Sequence, residues 1–352
     1  MTAADPAAEP TESPKRRFSR LRLPRRGRPL IRRRWLRWTV RVLLGLFVLG
    51  TLFSFAYNLA TNGDQKPASA LYPGPYVQID GRAVAYRQLR TQGAPIIFLG
   101  GFGEPSWVWK QVLQRLALGH RVYALDLPPF GYSERKGPYG LEDWTRLVRD
   151  FAAHFNLRRP IIVGHSLGAA VAVNVGLQAP ANTAGVVLLD GDALPVGGPH
   201  WMANLFINPY YTTLFRLLTH SDWLVHKVLV EAYGPDRRPI TGAQVDEFER
   251  PFRVRGTEKG FHDLFRGGVQ GLTLGDLRRL KVPRIVVWGQ HDTVDDIKAG
   301  RTSAKALGVK LIAIPRAGHL SMLGQPAAVA KTIASFAARI ERAPTGSTVS
   351  KH

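Results

Sequence analysis

The stretch Ile161-Ile162-Val163-Gly164-His165-Ser166-Leu167-Gly168 constrains this chain more than any other. Three branched apolar residues read as a buried strand, and Leu167–Ala179 continues in small and apolar residues that read as a helix. Only a sharp turn fits between them. Glycines on both sides of Ser166 permit the close chain approach such a turn requires. A serine there stands at the C-terminal edge of a sheet and at a helix N-terminus, where free N–H groups and the helix dipole favour a developing negative charge. The chemical reading is a nucleophile, and the bland one is a Gly-Ser turn. The strand before and the helix after favour the nucleophile.

The surrounding pattern defines the class. Pro95–Leu99, Arg121–Leu125, Ile161–Val163, Gly185–Leu189, Arg284–Trp288 and Lys310–Ile314 are short apolar strands. Tyr76–Ile79 and Arg82–Arg87 flank an Asp80-Gly81 turn and predict a hairpin. Trp107–Leu118, Leu141–Phe155 and Leu167–Ala179 have helical texture. Continuous apolar strands alternating with helices imply an α/β fold, with a mostly parallel sheet covered by helices on both faces. The alternation stops over 193–280, a segment helical in texture and rich in aromatic residues.

A serine hydroxyl is a weak nucleophile and needs a base, which in turn needs an orienting carboxylate. His319 follows the strand ending at Ile314, in Ala317-Gly318-His319-Leu320, and precedes a final helix. His165 points off the elbow and His291 neighbours the acid, so neither suits the role. Asp292, in Gly289-Gln290-His291-Asp292, lies in a loop after a strand, where α/β sites gather. Asp295 and Asp296 read as solvated loop or N-cap residues, while Asp190 and Asp192 form a rival acid site after the preceding strand. Backbone donors for an oxyanion are expected from Leu167 and from Phe102 in Gly100-Gly101-Phe102-Gly103.

The N-terminus has a different character. Residues 1–41 hold 13 Lys/Arg and three acids, a large share of a formal net charge of +22. The excess is concentrated in a tail rather than in a basic stripe interleaved with aromatics, which argues against a nucleic-acid partner. Val42–Ala60 carries no charge, and its clearly polar members are Thr51, Ser54 and Asn58. At about 1.5 Å per residue it reaches across the roughly 30 Å hydrocarbon core of a membrane. Trp35, Trp38 and Tyr57 sit where interfacial rings belong, and Arg32, Arg33, Arg34, Arg37 and Arg41 lie just before the run. By the positive-inside rule the N-terminus stays cytoplasmic and the catalytic region lies outside. Two other readings stay open: a cleaved leader, with small residues at Ser54-Phe55-Ala56, and a buried core helix. The absence of cysteine removes disulfides and thiol nucleophiles. The expected order is a disordered basic tail (1–34), a transmembrane helix (35–60), a linker (61–75), a catalytic domain (76–340) with an insertion over 193–280, and a disordered tail (341–352).

Together these stretches resemble the α/β-hydrolase superfamily, in its capped esterase, epoxide-hydrolase and dehalogenase branch. The resemblance rests on I-I-F-L-G-G-F-G-E-P-S-W-V-W (96–109), L-D-L-P-P-F-G-Y-S-E-R (125–135), V-G-H-S-L-G-A-A (163–170), V-V-W-G-Q-H-D (286–292) and A-G-H-L-S-M-L-G-Q-P (317–326). It covers about 76–340, and the order Ser166, Asp292, His319 is the family's. Epoxide hydrolases and dehalogenases carry aspartate at the elbow, so Ser166 disfavours those activities. The resemblance implies instead hydrolysis of an ester or other acyl bond, without metal or organic cofactor, and a helical cap over 193–280. Acyl transfer, C–C hydrolysis or cofactor-free perhydrolysis could use the same residues. A membrane-tethered binding protein on the same fold is the non-catalytic alternative. The aromatic cap and the tether imply a small lipophilic acyl substrate. Relatives usually carry His-Gly where this chain has Gly100-Gly101, so the packing that the histidine supplies is missing. Glu104 would oppose an oxyanion and is expected to point to solvent.

Overall fold

The computed structural model describes residues 30–195, 210–235, 240–268 and 270–342. Most of both expected tails lies outside these residues. Contacts divide the chain into Met1–Gly50 and Thr51–His352.

One helix, α1 (Leu30–Thr61), supplies most of a stretch, Arg34–Asp64, that is long and apolar enough by length and composition to cross a membrane. It begins five residues before the expected position 35, because Leu30–Arg34 carries no helix breaker. The linker that follows is ordered. A 3-10 turn (Asn62–Asp64) leads to a short helix, α2 (Ala68–Leu71). Tyr72 is buried, stacks on Tyr132 at 4.8 Å between ring centroids and donates to the Tyr86 carbonyl. These aromatic contacts give the segment an apolar partner that its Pro/Gly content did not suggest.

Eight strands form the sheet: β1 (Tyr76–Ile79), β2 (Arg82–Leu89), β3 (Pro95–Leu99), β4 (Arg121–Leu125), β5 (Ile161–His165), β6 (Gly185–Leu189), β7 (Arg284–Gly289) and β8 (Leu311–Ile314). Their order is β1-β2-β4-β3-β5-β6-β7-β8. β1 and β2 pair antiparallel across the Asp80-Gly81 turn, both of whose residues have positive φ. β2 pairs antiparallel with β4, and all later pairs are parallel. Every residue of β3, β5 and β6 is buried, as a strand covered on both faces requires.

Strand alternation separates two cores. Ile97, Leu99, Tyr123, Leu125, Ile162, Val186, Leu188 and Trp288 face α4 (Leu141–His154), α5 (Leu167–Gln178), α10 (Leu274–Arg279) and α11 (Ile297–Leu307). Ile96, Phe98, Val122, Ala124, Val163, Val187, Leu189 and Val287 face α3 (Lys110–Leu116), α12 (Ser321–Gly324) and α13 (Pro326–Arg342). Between β6 and β7 the chain builds a cap of α6 (Tyr210–Thr219), α7 (Asp222–Tyr233), α8 (Gly242–Glu249) and α9 (Thr257–Gly267). The insertion expected to run to 280 ends earlier as a cap. α10 packs on α5 and α11, and its Leu277 belongs to the core of the sheet.

The close fit of α11 on β7 can be tested. Gly300 lies mid-helix, where alanine ordinarily stabilises by about 1 kcal/mol. A Cβ there would come within 2.4 Å of the fully buried Trp288 ring. Gly300→Ala is therefore expected to destabilise by roughly 1–3 kcal/mol. A denaturant midpoint at or above wild type would refute this packing.

Candidate active site

The strands deliver the site to one edge of the sheet. Ser166 follows β5 and precedes α5 with φ 49° and ψ −119°, a left-handed backbone that a non-glycine residue rarely adopts. The neighbourhood permits it by close approach. A Cβ on Gly164 would lie 2.0 Å from the Gly168 carbonyl oxygen, and one on Gly191 2.4 Å from the Ser166 carbonyl oxygen. The Ser166 N–H donates to the Leu189 carbonyl at 3.0 Å, which fixes the turn to the end of β6. Leu167 opens α5, where N–H groups have no partner within the helix.

His319 lies after β8 and Asp292 after β7. The structure brings them together: His319 Nδ1 and Asp292 Oδ2 are 2.9 Å apart, with the carboxylate side chain fully buried. The other oxygen, Asp292 Oδ1, accepts the Val294 and Asp295 N–H groups, each at 2.9 Å. The carboxylate is thus fixed by backbone, and by accepting from Nδ1–H it leaves Nε2 as the basic nitrogen of the imidazole. The rival acids have other work. Asp190 is fully buried and accepts hydrogen bonds from Gly289 N–H and the Ser321 hydroxyl. Asp192 caps the Leu194 N–H. Asp296 caps α11 through the Lys298 N–H. Asp295, expected as a solvated loop residue, instead lines the cavity beside Ser166, and burial first, then Asp292 and Asp192, push its carboxyl above the usual range despite the opposing pull of the nearby histidines.

Glu104 overturns its expectation. It is buried, not solvated. Its Oε2 accepts the Gly101 N–H at 2.7 Å and lies 2.9 Å from His165 Nδ1. His165 Nε2 in turn donates to the His319 carbonyl at 2.8 Å, and the two imidazoles lie 4.8 Å apart. The two glycines of the loop make room for the arrangement. A Cβ on Gly100 would meet Glu104 Cβ at 3.1 Å, and one on Gly101 would meet Glu104 Oε1 at 3.1 Å. Glu104 fills the space over the two glycines and ties the 100–104 loop to the elbow and to the His319 loop.

Charge follows from this geometry. Burial alone would lower His165, but the Glu104 charge and hydrogen bond, with Asp190 3.9 Å away, push it up to about 9. Burial alone would raise Glu104, yet His165 and the Gly101 N–H hold it below its ordinary 4.5. Burial pushes Asp190 up to about 7 against His165, Ser321 and Gly289. A buried ion pair therefore underlies the site at neutral pH. Sequence reading set His165 aside and sent Glu104 outward. The only available signal was their spacing, with Glu104 three residues beyond Gly101 and His165 beside Ser166.

Phe102 shows 43% exposure, and its ring meets Phe130, Phe261 and Phe265 at 5.3–5.6 Å. The 100–104 loop thus contacts α9 of the cap. A cavity of about 270 Å³ opens on Ser166, with Leu167, Ala170, Leu194 and Pro195 as apolar walls and Asp192, Gln270 and Asp295 as polar ones. A larger hollow of about 790 Å³, near Arg158 and Asn182, lies at the opposite end of β5 and holds no part of this constellation.

A family model for the alpha/beta hydrolase family matches residues 96–332. The chain belongs to this family. It is 25% identical over 263 residues to an uncharacterized hydrolase of Bacillus subtilis, covering 73% of this chain and 95% of that protein. It is 26% identical over 264 residues to the pimeloyl-[acyl-carrier protein] methyl ester esterase of Pectobacterium atrosepticum, covering 70% and 97%. Among solved structures, a bacterial membrane phospholipase A superposes with a TM-score of 0.62 at 20% identity, over 89% of this chain and all of the other. The chain is a hydrolase of this fold with esterase relatives.

The buried pair makes a pH prediction. His165 has a folded value raised above its ordinary 6.5, so its contribution to stability is full below 6.5 and is lost as the pH rises through about 9. Glu104→Gln leaves His165 buried without its counter-charge, at a cost of about 3 kcal/mol. The variant is also expected to show a weaker decline in stability between these pH values. Urea unfolding of both proteins across that range is the check; an unchanged slope would show that the pair is not ionised.

Proposed function

We propose that this chain is a serine hydrolase that cleaves an ester bond of a small lipophilic acyl substrate. The observation that carries this reading is the His319–Asp292 pair on loops beside the strained Ser166 turn. Ser166 Oγ attacks the acyl carbon as His319 Nε2 takes its proton, while Asp292 holds Nδ1 and stabilises the imidazolium. The Leu167 and Phe102 N–H groups receive the oxyanion, each donor contributing about 3 kcal/mol to the transition state. Collapse expels the alcohol, which receives the proton from His319. Water, activated by the same imidazole, then releases the acid and restores Ser166. No step needs a metal or organic cofactor.

The cavity's composition supports a neutral acyl group. Its apolar walls suit a chain, whereas Asp192 and Asp295 would repel an acyl group ending in a carboxylate. Membrane anchoring through α1, with the basic end cytoplasmic and the catalytic domain on the far side, fits both the apolar span and the preceding arginines. The hydrogen bonds that Thr51, Asn58 and Thr61 make to α6 favour a retained anchor over a cleaved leader.

Two measurements test the chemistry. A fluorophosphonate probe should label the folded protein and fail to label Ser166→Ala; no labelling of wild type would leave a binding protein on this fold. With p-nitrophenyl esters, Asp292→Asn is expected to lower kcat by about 10⁴ through the wrong tautomer. On the same panel, kcat/KM should rise from acetyl to octanoyl and fall for a hemisuccinyl ester. Equal rates for the neutral and anionic acyl groups would sink the assignment of the carboxylate walls.

A further inference from the structure

The last third of α1 has a polar stripe. Thr51, Ser54, Asn58 and Thr61 recur at intervals of three and four, so they share one helix face. A lone apolar span has no use for such a face. Within the Thr51–His352 unit it is covered by α6. Thr51 Oγ1 and Tyr210 Oη are 2.7 Å apart. The Thr213 hydroxyl donates to Asn58 Oδ1 at 3.1 Å and to the Ser54 carbonyl at 3.4 Å. Arg216 donates to the Asn58 carbonyl at 3.0 Å and to Thr61 Oγ1 at 2.8 Å. Partner numbers rise together on both helices, so α6 runs parallel to α1 and alongside it for about ten residues, roughly 15 Å.

The residues that α6 clasps belong to the apolar span Arg34–Asp64. If that span crosses a membrane, α6 cannot stand clear of it. The exposed side of α6 is built for that position. Tyr210, Leu214, Leu217 and Leu218 fall at i, i+4, i+7 and i+8, on one stripe next to the face that holds α1. Leu214 is 52% and Leu218 51% exposed, and no charged side chain interrupts the stripe. The one charge on α6, Arg216, is turned inward and neutralised by Glu258 at 2.7 Å. A buried charge with a carboxylate and two further acceptors is compatible with low dielectric. Past the end of α6, Trp223 and Lys227 lie 5.4 Å apart on the exposed side of α7, a pairing suited to the headgroup level.

We infer that α6 is a membrane-embedded element of the cap. Its Leu214/Leu217/Leu218 stripe faces lipid acyl chains in the leaflet distant from the arginine flank, and the polar stripe of α1 holds it there. The cap is then seated in the lipid itself. The inference rests on α1 crossing the membrane, and the experiment separates the two.

The chain has no cysteine, so single-cysteine variants of the full-length protein label cleanly. Leu214→Cys, Val48→Cys on α1 and Lys331→Cys on α13 would each carry an environment-sensitive fluorophore in phosphatidylcholine proteoliposomes. Lipids with a doxyl quencher on the acyl chain are then introduced. The expected result is an emission loss of about two-fold or more at 48 and at 214, with none at 331, as burial at the acyl boundary requires. Quenching at 48 with none at 214, where aqueous iodide quenches instead, would overturn the seating of α6 and leave the membrane span standing. No quenching at 48 or 214 would remove both. Near-wild-type thermal unfolding of the unlabelled Leu214→Cys protein guards against a misfolded cap.

Discussion

The backbone at Ser166 is the constraint around which the site is arranged. A left-handed serine between β5 and α5 holds only if neighbouring chains come closer than a side chain would allow. Gly164 meets the first turn of α5, and Gly191 meets Ser166 itself. The end of β6 receives the Ser166 N–H, so the elbow is braced by a strand from outside its own hairpin of strand and helix. The elbow is flanked by fully buried strands on either side of β5.

Beneath the elbow, Glu104 and His165 form a buried pair that braces the turn. Glu104 covers Gly100 and Gly101, and His165 carries the connection on to the His319 carbonyl. A single chain of hydrogen bonds therefore spans the 100–104 loop, the Ser166 turn and the His319 loop. Burying two charges is costly, and the cost is offset only because every partner is held at hydrogen-bond distance. A carboxylate that would oppose an oxyanion if aimed at it is harmless here. It is paired with His165, and it orders the loop that carries Phe102.

The N-terminal helix and the cap share a second polar system. Thr213 and Arg216 of α6 satisfy groups on Ser54, Asn58 and Thr61, and Glu258 of α9 satisfies Arg216. The backbone bridge between Lys66 and Val254 continues the connection into the segment that reads in sequence as a linker. Through α9 the same system adjoins Phe261 and Phe265, which pack on Phe102. The last third of α1, the cap and the 100–104 loop are thus joined by consecutive side-chain contacts.

Local physics was sufficient for much of this. Branched apolar strands alternating with helices determined the sheet and its burial on both faces, because such strands have no polar side to turn to water. The glycines around Ser166 determined the turn, and chain order singled out Asp292 and His319, which the fold then brought within 2.9 Å. Sequence could not decide where polar side chains with no local pattern would go. Glu104 and His165 pair across 61 positions, Thr213 and Asn58 across 155, and neither pairing has a periodicity to read. Their partners are set by which loops and helices the finished sheet brings together. The tertiary structure therefore decided that Glu104 is buried, that Asp295 lines the cavity, and that the polar residues of an apolar helix are its contacts with the cap.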